Sequence, residues 1–183
     1  YSNDFNALSS SFGVSKSWDG HRIRLTYSSA FRTPHFSELL ANGPHHGTKR
    51  YEIGDRNLKE EKGNQIDATY EWSNEHFGLI INPFYHQIND FIVLNPQDSL
   101  ISGMPVFAYQ QQESVNLKGV EMSLHYHPHF LHQLHFEENI SIIEGRNSDN
   151  QFLPLMPANK FQSKLRYYLT KENKYRCKEI SLD

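Results

Sequence analysis

The chain has 183 residues, with 18 Lys and Arg against 21 Asp and Glu, and a formal charge of −3. Its basic residues are scattered, which argues against nucleic acid as a partner. No window approaches the ~20 apolar residues of a membrane-spanning helix, and the most apolar stretch, Phe77–Phe84, is broken by Gly78, Asn82 and Pro83.

Phe5 to Trp18 has strand character, with Leu8, Phe12 and Val14 set among serines, and Trp18-Asp19-Gly20 is a tight-turn signal. His21–Phe31 alternates Ile23, Leu25 and Tyr27 against Arg22, Arg24, Thr26 and Ser28. Phe31–Gly63 is a long polar loop punctuated by Pro34, Gly43-Pro44, Gly47, Gly54 and Gly63, with a turn of helix expected over His35–Ala41 and Pro34 as its first helical position. A connection beyond about 12–15 residues is expected to be functional or disordered. A new strand begins at Asn64, and Gln65–Trp72 alternates Ile66, Ala68, Tyr70 and Trp72 against Gln65, Asp67, Thr69 and Glu71.

Ser73–Glu75 reads as a short turn, His76–Ile88 as a strand, and Asn95–Pro105 as a second long loop. Val106–Tyr126 holds two strand-like runs, His127–His129 a short turn, Phe130–Ile143 a strand, and Glu144–Pro157 a third long loop. Lys160–Thr170 is a strand, Lys171–Lys174 a short turn and Tyr175–Leu182 a partial strand. The connections thus run short and long by turns. That is expected of an antiparallel meander whose two ends face different compartments, as in outer-membrane barrels. Tyr27, Tyr70, Trp72, Tyr126, Tyr167 and Tyr168 lie towards strand ends, where interfacial aromatic girdles would sit, and Arg22, Arg24, Asp67, Glu71 and Glu121 would line a wet lumen. One-sided alternation also describes a soluble sheet, so a soluble all-β ligand-binding domain presenting loops is the competing expectation.

Three ordered blocks carry a family likeness. Arg-x-Pro-x-x-x-Glu-Leu at Arg32–Leu39, Asn-Gly-x-His-His-Gly-Thr at Asn42–Thr48, and Tyr-Glu-x-Gly-Asp-x-Asn-Leu-x-x-Glu-Lys at Tyr51–Lys62 resemble the barrel domain of TonB-dependent outer-membrane receptors. Asn82–Val93, Gly103–Gln110, Lys118–Glu121 and Leu153–Pro157 extend the likeness over roughly Phe12 to Tyr168. The resemblance implies an all-β, up-and-down antiparallel meander of about eight strands, part of a 22-stranded plugged transmembrane barrel. Residues 1–183 would then be one partial barrel domain lacking the plug and the closing strand, an expectation in keeping with a chain that opens at Tyr1 without a leader. It also implies residence in a bacterial outer membrane, contact with its lipid, coupling to TonB through the plug, and uptake of a scarce metal complex: ferric siderophore, haem or zinc.

Candidate binding residues follow from the eleven histidines. His35, His45 and His46 lie in or beside the first long loop with Glu52 and Asp55, a donor set suited to a borderline metal or to haem iron. His45 and His46 are the candidate metal ligands, brought to one ion only if Gly43-Pro44 and Gly47 turn the chain. Zinc or haem would be cargo, and no resident cofactor is required. His125, His127, His129, His132 and His135 form a denser cluster in which His125 and His127 share a strand face, but turn lengths put it at the end away from capture, where solvated histidines are expected. Cys177 is alone and can form no disulfide within the chain. There is no Gly-x-Ser-x-Gly, Walker loop or His-Glu-x-x-His, so the chain carries no sign of an enzyme.

Overall fold

The computed structural model describes residues 8–169 and 179–182. Eight strands follow one another across a single antiparallel sheet: β1 (Ser10–Trp18), β2 (His21–Arg32), β5 (Glu61–Ser73), β6 (Phe77–Ile101), β7 (Met104–Tyr126), β8 (Leu134–Asn147), β9 (Lys160–Tyr168) and β10 (Glu179–Leu182). Between β2 and β5 lie the short helix α1 (Phe36–Leu40) and the hairpin β3 (Asn42–His45) and β4 (Arg50–Ile53). The expected meander of about eight strands is present, and its two edges are not joined to each other. The expected turn at Lys171–Lys174 lies outside the described residues, as do Phe5 and Cys177.

Register sorts the side chains. Ile23, Tyr70, Ile81, Met122, Ile140 and Phe161 stand opposite one another from β2 to β9. Leu25, Ile66 and Leu124 share that face by the two-residue period. Among the described residues no second layer covers it, and Ile23, Leu25 and Ile66 are each nearly half exposed. The opposite face carries Arg22, Glu71, Arg24, Thr69 and Glu121, with Arg22 Nη1 3.3 Å from Glu71. An apolar face open on a one-layer sheet contradicts a compact sandwich.

The turns follow local rules at two places. Asp19 and Gly20, and again Ser102 and Gly103, take positive φ, the handedness that two-residue hairpin loops require. The second of these overturns an expected loop. Asn95–Pro105 is not irregular: β6 and β7 continue as one hairpin to Ile101 and Met104, with a register shift between Pro96 and Leu100. Residues 90–101 carry β6 about 40 Å beyond its pairing with β5. Val106–Tyr126 is likewise one uninterrupted strand, not two runs. Pro83 sits inside β6, and the ladder to β5 lapses beside it while the register is kept. The connection after β7 runs from 127 to 133, longer than expected, because Phe130–Gln133 turns on itself through Leu131 N–H to Pro128 O and Leu134 N–H to Leu131 O.

Apolar packing gathers at the end from which the long hairpin projects. Leu39, Leu58 and Ile92 form a small buried cluster with Tyr109 against it. There β4 pairs in parallel with β7, Tyr51 opposite Val106 and Ile53 opposite Ala108, on the edge of β7 that β6 does not use. Since β5 lies beyond β6, the segment 54–60 must cross a face of the hairpin. Gln111 fastens that crossing: its side-chain oxygen accepts from Lys59 N–H at 3.1 Å, and its amide nitrogen donates to Lys59 O at 2.9 Å and Asp90 O at 2.7 Å.

Two buried carboxylates complete the fastening. Glu61 accepts from Ile92 N–H at 2.7 Å and from Arg32 Nε at 2.6 Å, while Arg32 Nη1 also reaches Glu38 at 2.8 Å. Glu52 takes Arg50 Nε at 2.7 Å and the Tyr109 hydroxyl at 3.3 Å. The α1 terminus docks by backbone, with Gly54 N–H donating to Ala41 O and Asp55 N–H to Glu38 O. A Cβ on Gly54 would stand 2.7 Å from Leu39 C and 2.8 Å from Ala41 N, with only backbone to yield.

Two substitutions test this fastening. Gly54→Ala should lift α1 from the hairpin, and Glu61→Ala should leave the Ile92 N–H without its acceptor, at about 1–3 kcal/mol. Limited proteolysis of native and variant receptor reads both: cleavage within 33–60 should speed up, while Asn57→Ala, at the exposed Asx turn, should cleave at close to the native rate.

Candidate functional site

The sequence-predicted residues at the first long connection are near in the chain but do not converge. His35 is the N-cap of α1: its Nδ1 accepts from Ser37 N–H at 3.3 Å, and its own N–H donates to Glu38 at 2.7 Å. Pro34, expected as the first helical residue, therefore precedes the cap. His45 ends β3 with Nδ1 3.1 Å from the Thr48 hydroxyl, and His46 follows in the turn; both are exposed. Glu52 is buried and committed to Arg50 and Tyr109, and Asp55 accepts from Asn57 N–H at 2.8 Å and Asn57 Nδ2 at 3.1 Å. Thus Glu52 and Asp55 shape the loop, and His45 and His46 are the imidazoles of its hairpin tip.

Histidines do converge at the opposite end of the sheet. His127 donates its N–H to His76 O at 2.9 Å, which extends the β6–β7 register by one pair and sets the two rings side by side. Across β7 and β8, His125 stands opposite Glu137, and His135 lies one inward-facing step from Glu137 on the same face. Side-chain nitrogens follow the backbone: His76 Nδ1 is 3.2 Å from His127 Nε2, and His135 Nδ1 is 3.4 Å from His125 Nε2. Ring centroids of His127 and His135 are 5.3 Å apart, and those of His76 and His129 4.8 Å. His132 closes the group, 5.5 Å from His76, and Tyr168 meets His135 edge-on at 5.0 Å.

Among the described residues, two sets have ligand atoms all within 4.8 Å of one another: His76, His127 and His132, and His125, His127 and His135. His127 belongs to both. Its Nδ1 is buried without a hydrogen-bond partner. Loss of water, and then the neighbouring imidazoles of His76, His135, His125 and His132, push its pKa below the ordinary histidine value, which favours the neutral ring. Behind the second set, Glu137 lies 3.8 Å from His125 Nδ1 and takes Arg166 Nη2 at 3.0 Å. Sequence spacing singled out five of these histidines but not His76, which sits 51 residues from His127. Only the register connects them.

Comparison with known proteins identifies the architecture. Residues 1–176 match the family model described as TonB dependent receptor-like, beta-barrel. Among solved structures, the copper transporter OprC superposes with a TM-score of 0.73 at 16% identity, over 87% of this chain and 23% of that one. The FrpB iron transporter from Neisseria meningitidis (F3-3 variant) does so at 0.60 and 20%, over 90% and 25%. The siderophore receptor PirA from Pseudomonas aeruginosa gives 0.65 and 15%, over 89% and 28%. The chain spans about a quarter of the length of these structures, and at such identity the likeness is one of fold. Members of this family are transporters rather than enzymes. An antiparallel meander with one bare apolar face, one polar face and a match over residues 1–176 establishes that the chain belongs to the β-barrel domain family of TonB-dependent receptors.

Proposed function

We propose that these strands form part of the wall of an outer-membrane receptor that takes up a scarce metal complex by TonB-dependent gating. Residues 1–183 are then a partial barrel domain, and the plug and the remaining strands belong to the rest of the receptor. The observation that carries this reading is the sorting of faces. Trp18, Trp72, Phe77, Tyr126 and Phe136 ring the short-turn end of the apolar face, with Trp72 and Phe77 rings 4.9 Å apart. Tyr27 and Tyr85 mark the other end, their hydroxyls donating to Asn64 at 2.8 Å and Asn116 at 2.7 Å. Phe77 to Tyr85 is about 27 Å along a strand, or about 20 Å of height at the usual ~40° tilt, which approaches the ~25 Å apolar band of such barrels.

The mechanism in this reading is binding and gating without bond-making. Cargo meets the end where the long hairpin and residues 33–60 are fastened together. The exposed imidazoles of His45 and His46 supply metal-seeking nitrogens there, with His35 nearby in sequence, and Glu52 and Asp55 hold the loop that presents them. Transition-metal cargo, as the free ion or as a siderophore or haem complex, fits such donors. The names of the compared transporters support a metal or siderophore cargo.

Two measurements test the proposal. Met122→Arg places a cation mid-way on the apolar face and should cost about 2–4 kcal/mol in urea titrations of the receptor folded into lipid vesicles. Glu121→Gln, on the opposite face, should cost far less, and equal costs would sink the lipid assignment. For cargo, zinc, haemin and ferric-siderophore uptake should be followed in cells with and without TonB. The His45→Ala/His46→Ala receptor should lose about tenfold or more in affinity for the transported complex, a loss of ~1.4 kcal/mol. Unchanged affinity would remove these two residues from the site.

A further inference from the structure

We propose that the receptor binds a borderline divalent cation of the Zn²⁺ class at its short-turn end, through His125, His127 and His135. This site lies at the opposite end of the sheet from the fastened loops, and it stands whatever the transported cargo proves to be.

Three observations carry it. The first is spacing. Around a tetrahedral zinc with bonds of about 2.0–2.1 Å, ligand nitrogens lie about 3.3 Å apart. His135 Nδ1 and His125 Nε2 are 3.4 Å apart, and a ring nitrogen of His127 lies within 4.8 Å of a nitrogen on each of those rings. The His125 and His135 rings already stand at the edge length of a coordination tetrahedron, with His127 beside them. The second is the composition of the group: rings from β7, β8 and the turns beside them meet with ligand atoms inside 4.8 Å, and His127 keeps a buried ring nitrogen with no partner. Packing neutral imidazoles together without an ion leaves such atoms unpaired, whereas an ion satisfies them.

The third observation chooses between the two overlapping sets. A metal-bound imidazole commonly turns its second nitrogen to a carboxylate, which orients the ring and raises its basicity. In the His125, His127 and His135 set, His125 presents Nε2 towards His135 and Nδ1 towards Glu137, whose other oxygen is held by Arg166. Among the described residues, the rings of His76 and His132 meet other imidazoles and no carboxylate. His76 is therefore a neighbour that abuts the site, and His129 and His132 lie beside His76. All-nitrogen donors suit zinc, copper or nickel and disfavour calcium and magnesium.

The test uses the native receptor in detergent, with Co²⁺ as a spectroscopic stand-in for zinc and with competition by Zn²⁺. The expected result is one equivalent bound with the strong visible absorption of tetrahedral cobalt, displaced by Zn²⁺. The band should persist in the His45→Ala/His46→Ala receptor and in His132→Ala. It should vanish in His127→Ala and in His135→Ala, and Glu137→Gln should weaken binding about 10–100-fold. Heat-modifiable migration on gels confirms that each variant is folded, and His127→Gln, which keeps polarity and bulk, replaces His127→Ala should that protein fail to fold. A band unchanged in the His127 variants overturns the proposal, as does a band lost with His132 but kept without His135. Loss of the band only in the His45→Ala/His46→Ala receptor overturns it too, while leaving the loop-end reading intact.

Discussion

The antiparallel backbone ladder carried from β1 to β10 is the constraint on which the other features rest. A one-layer sheet has no core to select its arrangement, so every strand is ordered chiefly by the peptide groups of its neighbours. Those groups must be paired where lipid offers no alternative partner. The ladder also fixes which side chains meet. Because side chains alternate with a period of two, a slip of one residue at any pair would move Ile23, Tyr70, Ile81 and Met122 to the polar side and bring Arg22 and Glu71 to the apolar one. The tight turns at Asp19-Gly20 and Ser102-Gly103 help hold that register, since their handedness matches the twist of the strands they join.

The two ends of the sheet resolve the same difficulty in different chemistry. At the long-hairpin end, buried carboxylates meet guanidinium groups and backbone N–H donors, and Leu39, Leu58, Ile92 and Tyr109 exclude water around them. Each of these carboxylates meets a guanidinium. Arg32 serves both Glu38 and Glu61, which ties α1 to the sheet, and Arg50 serves Glu52, which the Tyr109 hydroxyl joins to β7. At the short-turn end the polar groups are imidazoles, each a donor or an acceptor according to its tautomer, and crowding leaves one ring nitrogen of His127 unpaired. Imidazoles can crowd in this way where lysines could not, because the ring, unlike an ammonium, can shed its charge near neutral pH.

Much of this was legible in the residues. Alternation placed β2 and β9 to within one or two residues, and Trp18-Asp19-Gly20 announced its hairpin. By contrast, β5 starts at Glu61, three residues before the expected Asn64, because pairing with Arg32, Phe31 and Ala30 draws Glu61, Lys62 and Gly63 into the ladder. The three blocks between Arg32 and Lys62 pointed to the family that the comparison confirms. Asn95–Pro105 departs from the expected loop for a physical reason. Asn95, Pro96, Asp98, Ser99 and Gly103 are turn formers by local preference, yet Asn95 and Pro96 pair with Ala108 and Phe107, Asp98 and Ser99 fall in the register shift before Leu100, and only Gly103 of the five sits in the turn. Phe130 looked like the start of a strand because it is apolar, but it is exposed in a turn closed by Leu131 and Leu134.

The candidate sites divide in the same way. Sequence alone determined which residues on each strand share a face, that the chain forms a meander without membrane-spanning helices, and that histidines are concentrated in two regions, because these properties depend on spacing within a few residues. Tertiary structure decided which of those residues touch. It left His45 and His46 on an open tip, gave Glu52 and Asp55 to the loop itself, and set His76 beside His127 across 51 residues. That juxtaposition arises from the register of β6 on β7 and of β7 on β8, a long-range hydrogen-bond pattern that no local spacing encodes.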